Sequence, residues 1–193
     1  MRNTYYLMRH GWSESNEQHV IACSPEGSLE GFGLTEKGRN QAKQAAEAFS
    51  KIVNQEPIIY SSDFLRALQT AEAVAGVCHS NVITDVRLRE RNLGELDGES
   101  ADDYYKVWDA EPDPDAHPLN SESLRQMVGR VKSLIDDCEQ KYNERVVMFV
   151  SHGDPLVAIN SYVMHGDYRP PIHYIGNAEI RRIDEATPTV SVE

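Results

Sequence analysis

Tyr5-Tyr6-Leu7-Met8-Arg9-His10-Gly11 and Val146-Val147-Met148-Phe149-Val150-Ser151-His152-Gly153 repeat one pattern: an apolar run, a single intervening residue, then a His-Gly step. Short uninterrupted apolar runs read as strands buried on both faces, the kind that form parallel sheets. Ligands in open α/β sheets gather beyond the carboxyl ends of the strands. One parallel sheet therefore brings His10 and His152 to the same edge.

The chain outward from these two runs alternates short apolar runs with longer segments of helical period, which argues for βαβ units. Pro57 to Tyr60 and Asn81 to Thr84 are further strand candidates. Thr35 can cap a helix running through Val53, with Ala42, Ala45, Ala46, Phe49 and Val53 on one apolar face. Ser62 or Asp63 can cap a second, carrying Leu65, Leu68, Ala71 and Ala75. A long helix is expected from near Ser121 to before Asn143, because Leu124, Val128, Val131, Ile135 and Cys138 recur every three or four residues. Asp154-Pro155 has the form of an N-cap and first helical position, so a helix should run from there to about Met164. The expected architecture is α/β: a three-layer sandwich, one domain over residues 1–193, with a mostly parallel central sheet flanked by helices. The polar, β-branched tail over residues 185–193 is expected to be poorly ordered.

At 193 residues the chain is long enough to bury a sizeable core. A hydrophobic fraction of 40% and a charged fraction of 26% are those of a soluble globular protein, and no apolar stretch approaches the roughly 20 residues of a membrane helix. Met1-Arg2-Asn3-Thr4 leads into a strand pattern without the apolar core of a signal peptide, so a cytoplasmic location and no membrane partner are expected. Cys23, Cys78 and Cys138 are odd in number and widely spaced, suggesting neither a disulfide framework nor a zinc site. A net charge of −12 repels a phosphate backbone, which argues against nucleic acid as a partner. Any anion bound must meet a small, locally basic site. Oligomeric state is not legible, and a homodimer is compatible with the sequence.

Residues 95–120 stand out. Glu95, Asp97, Glu99, Asp102, Asp103, Asp109, Glu111, Asp113 and Asp115 face the one cation Lys106, with a short helix expected around Asp102 to Trp108. The stretch reads as an insertion, either a solvated excursion near the carboxyl edge of the sheet or a lid over the site.

Arg9 to Asn16 has a chemical logic if the ligand is a phosphoryl group. Arg9 offers a planar fork for phosphate oxygens, His10 a neutral nitrogen nucleophile, Gly11 a close backbone approach and Asn16 a further donor. Arg66 lies in the first turn of the helix after a strand, so it starts near the same edge. Glu90 follows the next strand, flanked by Arg87, Arg89 and Arg91, where a surface ion cluster is the rival reading. His19, His79, His117 and His173 have no mutual spacing that chelates a metal, and His165-Gly166-Asp167 reads as a helix end.

Four ordered blocks now stand together: R-H-G-x-S-x-x-N at Arg9 to Asn16, S-x-x-x-R-x-x-x-T-A at Ser62 to Ala71, L-x-E at Leu88 to Glu90, and S-H-G at Ser151 to Gly153. In these the chain resembles the histidine phosphatase superfamily, which includes the cofactor-dependent phosphoglycerate mutases and many small phosphatases, over roughly residues 4–183. The resemblance implies a phosphohistidine mechanism without metal or other cofactor, acting on a small phosphorylated metabolite. His10 would attack phosphorus, Glu90 would serve as general acid and then base, and Arg9, Arg66 and His152 would hold the equatorial oxygens, with Asn16 and the Gly153 amide as secondary contacts.

Within that family the mutases are longer and add cations for a second phosphate, whereas the insertion here is acidic. Trp12 replaces the usual Glu or Gln after Arg-His-Gly, and Asn92-Leu93 replaces the aromatic expected soon after Glu90. An acidic rim disfavours multiply charged substrates across a Debye length of about 8 Å, so a monophosphate ester phosphatase is expected. A phosphoglycerate-type mutase and a catalytically silent phosphate-binding regulatory module are the alternatives.

Overall fold

The computed structural model describes residues 1–110, 112–165, 175–183 and 189–190. In chain order they form β1 (Thr4–Arg9), α1 (Glu14–Gln18), α2 (Pro25–Ser28), α3 (Glu36–Ser50), β2 (Ile58–Ser61), α4 (Leu65–Cys78), β3 (Val82–Thr84), α5 (Tyr105–Trp108), α6 (Leu124–Lys141), β4 (Val146–Ser151), α7 (Gly153–His165), β5 (Ile180–Ile183) and β6 (Thr189–Val190). Single 3₁₀ turns at Val86–Leu88, Gly94–Leu96, Ala101–Tyr104 and Pro118–Asn120 punctuate the path from β3 to α6.

The sheet order is β3-β2-β4-β1-β5-β6. The first four strands are parallel; β5 pairs antiparallel with β1, and β6 antiparallel with β5. Successive strand side chains point to opposite faces, so the two central strands divide their apolar residues between two cores. Tyr5, Leu7, Val147 and Phe149 pack with Met127, Val131 and Leu134 of α6 and Leu156 and Ile159 of α7. Tyr6, Met8, Met148 and Val150 pack with Ala45, Ala46 and Phe49 of α3 and Ala71, Val74 and Ala75 of α4. That makes three layers. The register sets Arg9 beside Ser151, and the His10 amide donates to the Ser151 carbonyl at 3.0 Å. His10 and His152 thus leave adjacent strands side by side.

Helix starts differ from the sequence reading in instructive ways. Thr35 caps α3 as expected, accepting from the Gly38 amide at 3.2 Å. The long helix expected from near Ser121 is α6, capped by Ser123 in a capping box with Gln126. The N-cap of α4 is Phe64, which has no side-chain acceptor; neither Ser62 nor Asp63 holds that position. Ser62 Oγ still receives the Phe64 amide at 3.2 Å. Helix α7 begins at Gly153, one residue before the expected Asp154 cap, because the Gly153 amide finds its acceptor in a carboxylate from another loop.

Strand β5 was not anticipated. Its Ile180-Arg181-Arg182-Ile183 pattern puts Ile180 into the core under α3 and α4 and Ile183 into the core under α6 and α7, one apolar residue for each face. Of the tail expected to be poorly ordered, Thr189–Val190 pairs with β5, and its other residues lie outside those described. Gly166 and Asp167, read as a helix end, also lie outside them.

The acidic stretch is no solvated excursion on its inner side. Leu93, Leu96 and Val107 form a small satellite core with Ile21 and Cys23. Backbone bonds from Ile21 to Glu99, Gly98 to Ile21 and Ala101 to His19 stitch it to the segment after α1. Asp97 accepts from the Cys23 and Ser24 amides at 2.7 and 3.0 Å. Gly94, at φ +60°, sits where a Cβ would lie 2.1 Å from the Leu119 carbonyl, so the two ends of the stretch meet only through glycine.

Candidate active site

The carboxyl edge of the sheet gathers His10, Arg9, Arg66, Glu90 and Asn16 around a cavity of about 240 Å³. His152 stands behind it, its ring centroid 5.1 Å from that of His10. His10 is 3% exposed and His152 fully buried.

His10 Nδ1 lies 2.8 Å from the Gly11 carbonyl, which can only accept, so in the neutral ring the proton is on Nδ1. The lone pair is therefore on Nε2, where Arg66 Nε donates to it at 3.3 Å. Burial, then the charges of Arg66 and Arg9, hold the His10 pKa well below its ordinary value. A neutral imidazole aimed into an anion site is the form a nucleophile needs.

The loop behind it is fixed by backbone contact. A Cβ on Gly11 would lie 2.5 Å from the Gly38 carbonyl, and one on Gly38 would lie 2.0 Å from the Trp12 carbonyl. The chain that approaches Gly11 is the first turn of α3, a contact distinct from the approach to a phosphoryl group expected of it. The Gly11 amide donates to Thr70 Oγ1 at 3.1 Å, and Thr70 donates to the Arg66 carbonyl at 2.7 Å, tying the nucleophile loop to α4.

Arg66 is 3% exposed. One of its terminal nitrogens donates to the Ala22 carbonyl at 2.7 Å, whereas Nη1 is buried without a protein partner. Arg9 Nη1 donates to the Ile175 carbonyl at 3.3 Å, and its Nε is buried and unpartnered. His152 Nε2 meets Ser62 Oγ at 3.0 Å, and its Nδ1 is also buried and unpartnered. Burial, Arg66 and His10 push the His152 pKa well below its ordinary value. When Ser62 donates to Nε2, the ring proton sits on Nδ1 as a further donor. Buried donors without partners are rare because each carries a desolvation cost of about 1–3 kcal/mol. Arg9, Arg66 and His152 bring three of them to one edge, an arrangement with the donors to hold an anion.

Glu90 escapes the surface-cluster reading. Arg87 goes to Asp85 and Asp137, and Arg89 forms a two-pronged pair with Asp63. The Glu90 carboxylate instead accepts the Arg91 amide at 2.9 Å and the Gly153 amide at 3.2 Å, and its charge acts on Arg66. This corrects the assignment of the Gly153 amide to the substrate: it holds Glu90. Asn16 Oδ1 accepts from the Ser13 amide and hydroxyl at 3.1 and 2.9 Å, within the capping box of α1, and from Asn177 Nδ2 at 3.3 Å. Its Nδ2 remains a donor for the cavity. Ser62, Thr70 and Asn177 were not singled out as site residues, although Ser62 and Thr70 lie inside the second sequence block. Among the described residues no three His, Cys, Asp or Glu side chains gather as a metal site, and no helix is long and apolar enough to cross a membrane.

The far end of the cavity is made by Trp12, Ser15, His19, Val20, Ala101 and Tyr104. Lys37 covers the Trp12 ring at 4.2 Å. His19 is bonded to Asp102 at 3.0 Å, joining the segment after α1 to the acidic stretch.

Known proteins place this arrangement. The "Putative phosphoserine phosphatase 2" of Hydrogenobacter thermophilus is 33% identical over 162 residues, covering 80% of this chain and 75% of its own. The "Probable phosphoglycerate mutase GpmB" of Proteus mirabilis is 31% identical over 165 residues, covering 82% and 74%. Among solved structures, a mycobacterial glucosyl-3-phosphoglycerate phosphatase superposes with a TM-score of 0.74 at 25% identity, covering 93% of this chain and 88% of that one. The family model described as Histidine phosphatase superfamily (branch 1) matches residues 5–190, and it is to this superfamily that the chain belongs.

Proposed function

We propose that this protein is a metal-independent phosphatase that hydrolyses a small phosphomonoester through a phosphohistidine on His10. The observation that carries the reading is the Nε2 lone pair of His10, presented to a cavity beside three buried, unpartnered donors on Arg9, Arg66 and His152. Nε2 attacks phosphorus, an N–P bond forms, and the ester P–O bond breaks. Glu90, in its acid form, gives its proton to the departing oxygen. Water then attacks phosphorus while the Glu90 carboxylate takes its proton, and the N–P bond breaks to release phosphate. Arg9, Arg66, His152 and Asn16 hold the equatorial oxygens, a preorganised field that needs no rearrangement as charge moves.

The far end of the cavity supports hydrolysis of a monoester over mutase chemistry. Among the described residues that line it there is no lysine or arginine, and His19 is paired with Asp102. The Lys37 ammonium at that end is engaged with the face of the Trp12 ring. Two backbone amides, of Arg91 and Gly153, fix the Glu90 carboxylate beside the cavity, which supports a positioned part in the reaction that simple phosphate binding would not require.

Brief incubation with a labelled phosphate ester in the presence of a chelator, followed by a quench, is expected to leave acid-labile, base-stable label on His10. His10→Ala should abolish the label and lower kcat by about 10⁵-fold or more. Turnover that survives this substitution overturns the mechanism.

A further inference from the structure

Tyr104 differs from the other residues at the far end of the cavity. It closes the single turn Ala101–Tyr104 in the middle of the acidic stretch and lines the same cavity as His10, Arg9, Arg66 and Glu90. Its ring stacks on Trp108 at 5.2 Å, and the Trp108 indole donates to Asp154 of α7 at 3.4 Å. The ring also packs on the satellite core of Ile21, Cys23, Leu93, Leu96 and Val107. The phenol is therefore placed by the body of the protein.

Its hydroxyl has no hydrogen-bond partner among the described residues. It lies within electrostatic reach of Glu90, Asp154, Cys23 and Arg66, and burial followed by the two carboxylates pushes its pKa up, so it stays a donor. The residue is half-buried and its hydroxyl is not among the buried unpartnered atoms, so the hydrogen is open to an acceptor that enters the cavity. None of the described residues supplies one, and Tyr104 lines the same cavity as His10 and Glu90.

Resting on the phosphatase reading, we infer that Tyr104 is a specificity-determining residue that donates its phenol hydrogen to a hydroxyl oxygen of the leaving group, and that the substrate is the phosphate ester of a small, uncharged, hydroxyl-bearing alcohol. A carboxylate would accept the same hydrogen, but it would face Glu90 with no lysine or arginine among the described residues that line that end of the cavity. An ammonium has no lone pair to offer. A hydroxyl accepts from Tyr104 and still donates onward, which suits a wall that also carries Ser15 and Glu90. The phosphoryl group and the alcohol share this cavity of about 240 Å³.

The test compares two esters differing in hydroxyls alone, glycerol 1-phosphate and propyl phosphate, in the wild type, Tyr104→Phe and Tyr104→Leu. The wild type should prefer glycerol phosphate, and the ratio of kcat/KM values should fall about tenfold in Tyr104→Phe, the scale of one neutral hydrogen bond. Tyr104→Leu should lower the ratio at least as far. The ratio is taken within one preparation, so partial unfolding cancels from it. A wild-type ratio near one, a ratio within twofold of wild type in Tyr104→Phe, or an equal loss on both esters down to total inactivity overturns the inference. If the wild type hydrolyses neither ester and forms no phosphohistidine, the phosphatase reading itself falls, and this inference with it.

Discussion

The two ends of the cavity are built differently. At the phosphate end, His10, Arg66 and His152 are between 0 and 3% exposed, each one residue or one helical turn from a central strand or its following helix. At the leaving-group end, the walls come from residues 12–22 and 101–104, joined by a few backbone bonds and a satellite core of five residues. The first end is set by the sheet and moves only if the sheet moves. The second rests on local contacts, which leaves it free to vary in shape without disturbing the chemistry.

That contrast can be broken most forcefully at Arg66. Arg66→Ala removes a donor from the phosphate end and is expected to lower kcat by about 10² to 10³-fold, with the thermal midpoint showing whether the fold is retained. A loss confined to KM would show that Arg66 binds substrate and transition state equally, contrary to the role given it.

Val107→Ala probes the other end. Val107 is fully buried in the satellite core, and its truncation should cost about 1–2 kcal/mol and loosen the wall that carries Tyr104. KM should rise several-fold while kcat stays within about threefold. If kcat falls as far as in Arg66→Ala, the two ends are one mechanical unit and the comparison fails.

Acid gives the mildest perturbation. His10 and His152 are held neutral in the fold, with pKa values below that of the unfolded chain, about 6.5. The unfolded state then binds more protons, so stability rises with pH through the window below about 6.5 and is lost as pH falls through it. Urea midpoints at pH 5 and 7.5 should differ less in a His10→Gln/His152→Gln variant than in the wild type. Equal differences would place the acid sensitivity elsewhere.

The phosphate end was legible in the sequence because its parts are local. Strands β1 and β4 are continuous apolar runs, and His10, Arg66, Glu90 and His152 lie just after strands, so topology alone collects them. Glu90 gained its place through two amides, one from its neighbour Arg91 and one from Gly153, and no spacing rule announces the second. Strand β5 was hidden for the opposite reason. One isoleucine per face, separated by Arg181 and Arg182, satisfies neither the alternation of a half-exposed strand nor the run of a buried one. Tyr104 was illegible because its burial depends on Ile21 and Cys23, some eighty residues earlier, and an acidic composition conceals a segment with an apolar inner side.

The glycine pair at the start of the site bears on how such a protein changes over time. Gly11 and the carbonyl of Trp12 are locked against Gly38, so backbone drift at the nucleophile loop is closed to any side chain larger than hydrogen. The indole of Trp12 is outside that lock and faces the cavity. Two positions after His10, the chain therefore has a site where side-chain identity is free while backbone placement is not. Under the proposed reading, a substitution at residue 12 would change which alcohol is accepted and leave the phosphoryl chemistry in place.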